Sequence, residues 1–100
     1  MSTSFRLTAS SAAAKAMLEA ARDRARTLPA GSSDWDFYYG VQTAAQHALH
    51  AGLQATRADD QSWLQAESPT FRDGYIKAAA ALAGAATASE PRLAVPLPQP

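Results

Sequence analysis

The chain has 100 residues, with nine basic and nine acidic side chains and no cysteine. This length fits one domain. The lack of cysteine excludes disulfides, zinc–thiolate sites and a thiol nucleophile. Zero net charge argues against a protein whose main function is to bind the phosphate backbone of a nucleic acid.

No apolar run approaches the roughly 18 residues of a membrane span, and residues 1–8 lack the leucine-rich stretch of a secretory signal. We therefore expect a cytoplasmic protein that does not contact a membrane.

Alanine supplies 25 residues, whereas valine and isoleucine together supply three. Because alanine is the best helix former, the composition favours helices over a sheet. We predict an all-α fold, a small three-helix bundle in antiparallel up-down-up order over residues 10–88, since short connections favour antiparallel neighbours. An alanine-rich core buries little area per residue. A homodimer or a partner protein would then add stability.

Residues 1–9 are predicted to form an irregular N-terminal segment. The first helix should run from Ser10 to Thr27, with Ser10 or Ser11 as its cap and Pro29 and Gly31 beyond its end. Seven side chains form its apolar face: Ala13, Ala14, Met17, Leu18, Ala21, Ala25 and Leu28.

The second helix should begin at Ser33, which with Asp36 forms an acidic variant of the capping box, and should reach about Ala55 or Arg57. Its apolar arc spans half the circumference, as expected for the central helix of a bundle: Trp35, Phe37, Tyr38, Val41, Ala45, Ala48, Leu49 and Leu53. Polar side chains gather on the other side: Asp36, Thr43, His47, His50 and Gln54.

Residues 58–68 should form a connection with a short helical turn, capped by Asp59 or Asp60, that places Trp63 and Leu64 in the core. The third helix has the clearest start, with Ser68 as N-cap and Pro69 at the first helical position. It should run to about Ala86 with this apolar stripe: Phe71, Tyr75, Ala78, Leu82 and Ala85. Gly74 and Gly84 are predicted to lie off that stripe and to weaken the helix.

Residues 89–100 are predicted to be a flexible, disordered tail, because four of the last eleven residues are proline. The segment 96–100, P-L-P-Q-P, is a solvated terminus in one interpretation. In the other it is a polyproline-type motif for an aromatic groove.

Four consecutive helical positions, 35 and 37–39, are aromatic, so their side chains cannot all face one core. Trp35 and Tyr39 lie at or beyond the edge of the apolar arc, with Tyr39 towards His50. They either cover a neighbouring segment or anchor a protein partner, since Tyr and Trp dominate interface hot spots.

Arg24 points towards the apolar face of its own helix. Three interpretations are open. The aliphatic stem of Arg24 passes the edge of the core, its guanidinium pairs with a carboxylate of another helix, or that edge of the helix is an interface. We predict a partner-binding surface from these residues: Arg24, Trp35, Tyr39 and His50.

Two alternatives remain. The cluster Arg22, Arg24 and Arg26 would suit a DNA-binding regulator, although Glu19 and Asp23 dilute its charge. His47 and His50, three residues apart, could hold a metal or small ligand, but neither has a carboxylate one helical turn away. Two solvated histidines are the simpler interpretation.

No catalytic residue and no cofactor are predicted, because nucleophile motifs and glycine-rich nucleotide loops are missing. The leading function is a non-enzymatic, helical protein-binding module or small regulator. Because proteins of this size and compactness are common in phages and mobile elements, one form of this function is an accessory factor that modulates a host protein.

Overall fold

The computed structural model describes residues 2–51, 64, 66–87 and 95–100, with side chains for residues 12–50, 64, 66–85 and 95–100. Three helices make up most of this part of the chain: α1 spans Ser2–Arg26, α2 spans Ser33–Ala51 and α3 spans Pro69–Thr87. No strand occurs among the described residues, and none of their helices is long and apolar enough to span a membrane. The prediction of a small all-α bundle is confirmed.

Helix α1 begins eight residues before its predicted start. Residues 2–9 are helical, and the predicted caps Ser10 and Ser11 lie inside the helix. The prediction of an irregular N-terminal segment is therefore wrong for residues 2–9. This stretch contains no proline or glycine, so nothing in it interrupts a helix that grows by one hydrogen bond for each residue added.

The start of α2 is capped by Ser32 rather than by the predicted Ser33. The Ser32 hydroxyl accepts a hydrogen bond from the Trp35 amide at 3.2 Å, and the Ser32 carbonyl accepts one from the Asp36 amide at 2.9 Å. Gly31 has a φ of 85°, a left-handed conformation that glycine adopts without steric cost. This turn brings Ser32 into the capping position. The predicted end of α2 lies outside the described residues.

The start of α3 is the predicted one. The hydroxyl of Ser68 accepts the Phe71 amide at 3.2 Å, and Pro69 is the first helical residue. Leu64, in the connection before it, is helical and fully buried, as predicted. The other residues of the predicted helical turn, Asp59, Asp60 and Trp63 among them, lie outside the described part of the chain.

The core consists of the apolar faces that the sequence predicts. Helix α2 packs against both α1 and α3, which confirms its central position. Leu28, Trp35 and Leu49 are half-buried at the rim of the core. The predicted side chains that are buried are these: Ala13, Ala14, Met17, Leu18, Ala21, Ala25, Phe37, Tyr38, Val41, Ala45, Ala48, Leu64, Phe71, Tyr75, Ala78, Leu82 and Ala85.

Helices α2 and α3 touch backbone to backbone at Gly40 and Gly74, both of which are buried. A Cβ atom on Gly40 would collide with the Phe71 carbonyl oxygen and would lie 3.0 Å from the Tyr75 nitrogen. A Cβ atom on Gly74 would collide with the Phe37 carbonyl oxygen. The prediction that Gly74 lies off the packed face is therefore wrong. Only a hydrogen atom fits at either position.

The first turns of α2 and α3 lie side by side. The Ser68 hydroxyl donates a long hydrogen bond of 3.5 Å to the Asp36 carboxylate, and the rings of Tyr39 and Phe71 are 5.8 Å apart. These contacts bring the N-terminal turns of α2 and α3 together, whereas the predicted antiparallel arrangement would place them at opposite ends of the pair.

The end of the chain lies against the bundle. Residues 95–100 have no regular structure, yet Val95 and Leu97 are half-buried against the core. The Lys77 ammonium donates a hydrogen bond to the Gln99 carbonyl at 3.3 Å. Apolar side chains two positions apart in an extended segment face the same side, so both can contact the core. The contact of residues 95–100 with the bundle was not predicted from the sequence. Residues 88–94 lie outside the described part.

Candidate functional site

Three aromatic rings form a continuous cluster across the start of α2 and α3. The rings of Trp35 and Tyr39 are 5.3 Å apart and tilted by 34°, and Tyr39 also contacts Phe71, whose ring is buried. Trp35 is half-buried, whereas Tyr39 is 48% exposed. Both residues of the aromatic prediction therefore lie together, and Tyr39 presents its ring to solvent while its neighbours fix its position.

Beyond its first turn, which contains Asp34 and Asp36, α2 carries no formal charge. From Phe37 to Ala51 the helix contains no Asp, Glu, Lys or Arg. The Thr43 hydroxyl donates to the Tyr39 carbonyl at 2.9 Å and so is engaged with its own helix. We call the half-buried and exposed residues on this side the α2 outer face: Trp35, Tyr39, Gln42, Thr43, Gln46 and His50.

His50 lies at the far end of this surface, whereas Arg24 lies on α1. His50 is exposed and eleven residues beyond Tyr39, which puts it nearly on the same side of the helix but ~16 Å further along its axis. The Arg24 guanidinium lies over the Tyr38 ring, 5.9 Å from its centroid. The stem of Arg24 thus passes the core edge, the first of the three interpretations that its sequence position left open.

The arginines proposed for the DNA-binding alternative do not form one positive surface. Successive even-numbered residues of a helix are 200° apart, so Arg24 points towards Tyr38 while Arg22 and Arg26 point elsewhere. Arg26 pairs with Asp23 at 3.3 Å. These contacts do not favour that alternative over the leading one.

His47 contacts α3, although the sequence placed it on the polar side of α2. Its Nδ1 atom is 2.9 Å from the Tyr75 hydroxyl, and the two rings pack edge to face, 5.6 Å apart. His50 lies on the exposed side instead. No group of three or more histidines and carboxylates suited to a metal ion occurs among the described residues. The pair that the metal alternative needs is therefore split between a packed position and an exposed one.

Burial raises the pKa of the Tyr75 phenol above its ordinary value of 10.0. When the pKa of a group is raised by folding, the unfolded chain loses that proton first as the pH increases. The stability that Tyr75 contributes is therefore complete below about pH 10 and declines at higher pH. Proton loss by Tyr75 thus favours the unfolded chain.

We expect thermal melts followed by circular dichroism to show a steeper fall of Tm above pH 10 for the wild type than for Tyr75→Phe. At pH 7 the same substitution should cost ~1 kcal/mol, the usual net value of one hydrogen bond. Tyr39→Phe is the control, because its ring is half-exposed, and it should follow the wild-type curve. Parallel curves for wild type and Tyr75→Phe would contradict this assignment.

The polar contacts between α2 and α3 were not predicted from the sequence. Asp36 and His47 flank Gly40 along the side of α2 that meets α3, and they contact Ser68 and Tyr75, respectively. A glycine within a helical pattern often has a packing reason. Gly40 lies between these two polar residues on one side of α2. This pattern could have indicated that the same side contacts another helix.

No known protein family, curated protein or solved structure matches the chain.

Proposed function

We propose that the protein is a non-enzymatic binding module that recognises another protein through the α2 outer face, with Tyr39 as its central anchor. One observation carries the proposal: a half-exposed tyrosine ring lies between Trp35 and Phe71, on a helix that has no formal charge from there to its last described residue. Depletion of charge and enrichment of aromatic residues characterise the centre of protein interfaces.

The fixed position of the Tyr39 ring supports this function. A side chain that is already ordered by its neighbours loses little conformational freedom on binding, so more of the contact energy remains for affinity. The amides of Gln42 and Gln46 beside it can donate and accept hydrogen bonds at the rim. The expected partner offers an apolar pocket for the ring and polar groups around it.

The test compares Tyr39→Ala with Ile76→Ala. These two residues are the large hydrophobic side chains that the described part of the chain exposes, at 48% and 52%. Wild type and both variants serve as baits in affinity purification from the native cells, and light scattering measures the mass of each purified protein.

We expect Tyr39→Ala to weaken capture of the specific partner about 30-fold, as for a hot spot of ~2 kcal/mol, while Ile76→Ala retains it. If the partner is a second copy, light scattering should show a dimer that Tyr39→Ala converts to a monomer. Melting curves must show that both variants stay folded. Identical capture and identical mass for all three proteins would refute the proposal.

A further inference from the structure

The last six residues occupy a defined position on the bundle. Val95 and Leu97 are half-buried against the core, whereas Pro96 between them is exposed. Residues 95–100 contain three prolines, which lack an amide hydrogen and hold the backbone extended. Such a segment binds through alternate side chains and through its carbonyl oxygens.

Lys77 of α3 forms a hydrogen bond with one of those carbonyls. Its ammonium donates to the Gln99 carbonyl at 3.3 Å and pairs with Asp73 at 3.1 Å. The same ammonium lies 5.5 Å from the centre of the Phe37 ring. The Lys77 ammonium therefore contacts an anion, an aromatic ring and the tail at the same time.

This surface differs from the α2 outer face. Phe37 and Tyr39 are two residues apart on α2, so their side chains point to nearly opposite sides of the helix. Phe37 is completely buried, whereas Tyr39 is half-exposed. We call the region of Phe37, Asp73, Lys77 and the core beneath Val95 and Leu97 the tail-docking surface.

We propose that the tail-docking surface is a binding site for extended, proline-containing peptide segments of another protein, and that residues 95–100 are its resident ligand. The segment it accepts has two apolar side chains separated by one proline, followed two residues later by a carbonyl that Lys77 binds. The chain's own tail shows this chemistry in place. Because the tail is tethered, it competes at a high effective concentration, and a partner must displace it.

The competition predicts that loosening the tail strengthens binding in trans. The apparent affinity of a site falls in proportion to the fraction of molecules in which it is open. A fluorescein-labelled peptide of residues 93–100 is titrated into the full-length wild type and into the full-length variant Val95→Ser/Leu97→Ser, with fluorescence anisotropy as the readout. The variant should bind at least tenfold more tightly than the wild type.

Two controls define the contacts. The same peptide with Val95→Ser and Leu97→Ser should not bind, and Lys77→Met added to the loosened chain should weaken binding several-fold. Equal binding of both peptides, or no binding of the native peptide to a loosened chain that remains helical, would overturn the proposal.

A second measurement uses the tail in its native sequence. Since the chain has no cysteine, Pro100→Cys provides a unique site for a fluorescent label on the otherwise wild-type protein. Excess unlabelled peptide should lower the anisotropy of this label as the tail is released. An unchanged signal at peptide concentrations up to the millimolar effective concentration of a short tether would also overturn the proposal. Neither measurement involves Tyr39, so its outcome is independent of the partner proposed for the α2 outer face.

Discussion

Gly74→Ala should destabilise the protein by at least ~3 kcal/mol, because the added Cβ atom would overlap the carbonyl oxygen of Phe37 in the facing helix. Backbone cannot move aside as a flexible side chain can, so α2 and α3 must separate. Separation loses contacts along the whole length of the pair. Since a domain of this size loses ~4–8 °C of Tm for each kcal/mol, we expect Tm to fall by more than ~12 °C. Gly40→Ala should have a similar effect, since it meets the Phe71 carbonyl in the same way.

Gly84→Ala is the matched control for this prediction. It is the same substitution in the same helix, but Gly84 is exposed and nothing lies within 4 Å of the Cβ atom it would acquire. Alanine should therefore stabilise α3 by ~0.5–1 kcal/mol through helix propensity alone. Urea unfolding followed by circular dichroism measures both changes. A Gly74→Ala protein as stable as wild type would show that the two helices do not meet at this point.

Phe37→Ala should destabilise the protein by ~3–5 kcal/mol, the usual cost of removing a buried phenylalanine ring. The ring is completely buried and packs edge to face on Tyr38 at 5.3 Å. It also lies beneath the Lys77 ammonium. The substitution removes an aromatic contact and leaves a cavity in a core that consists largely of alanine, where few large side chains can move in to fill it.

Tyr39→Ala separates this effect from a general loss of aromatic area. Tyr39 is two residues away on the same helix but is 48% exposed, so its removal should cost no more than ~1 kcal/mol. Chemical denaturation at pH 7 gives both free energies of unfolding. Equal losses for the two variants would mean that Phe37 is not the central core residue that its burial indicates.

Helix number and core composition were predictable because they depend on local signals. The start of α3 followed from Ser68 and Pro69, and these residues act as predicted. The apolar stripe from Phe71 to Ala85 is buried as the helical period requires. The start of α1 was misplaced because serine at positions 10 and 11 resembles a cap but is tolerated inside a helix when nothing precedes it that breaks the helix.

The contacts between elements were not predictable in the same way. Helical periodicity shows which face of α2 is apolar, but it does not show that Gly40 meets Gly74 or that Asp36 reaches Ser68. These contacts depend on the angle at which two helices cross, which a single sequence does not encode locally. The contact of the tail with the core was not predicted for a related reason, since proline content predicts an extended backbone but not the surface on which it lies.

For the candidate site, the sequence located the aromatic pair but not its relation to α3. Trp35 and Tyr39 were recognised because they lie at the edge of the apolar arc and beyond it, respectively, and they do form one cluster. The contribution of Phe71 could not be foreseen, because it depends on the first turns of α2 and α3 lying together.

The pair Gly40 and Gly74 also bears on how the sequence can diverge. Solvent-exposed positions away from caps and contacts tolerate most substitutions at little cost in stability, so much of the surface sequence can change. The two glycines cannot, since every other amino acid carries the atom that the facing backbone excludes. We expect distant descendants of this chain to keep a glycine near the end of the second turn of α2 and another in the second turn of α3 after the rest of the pattern has become unrecognisable.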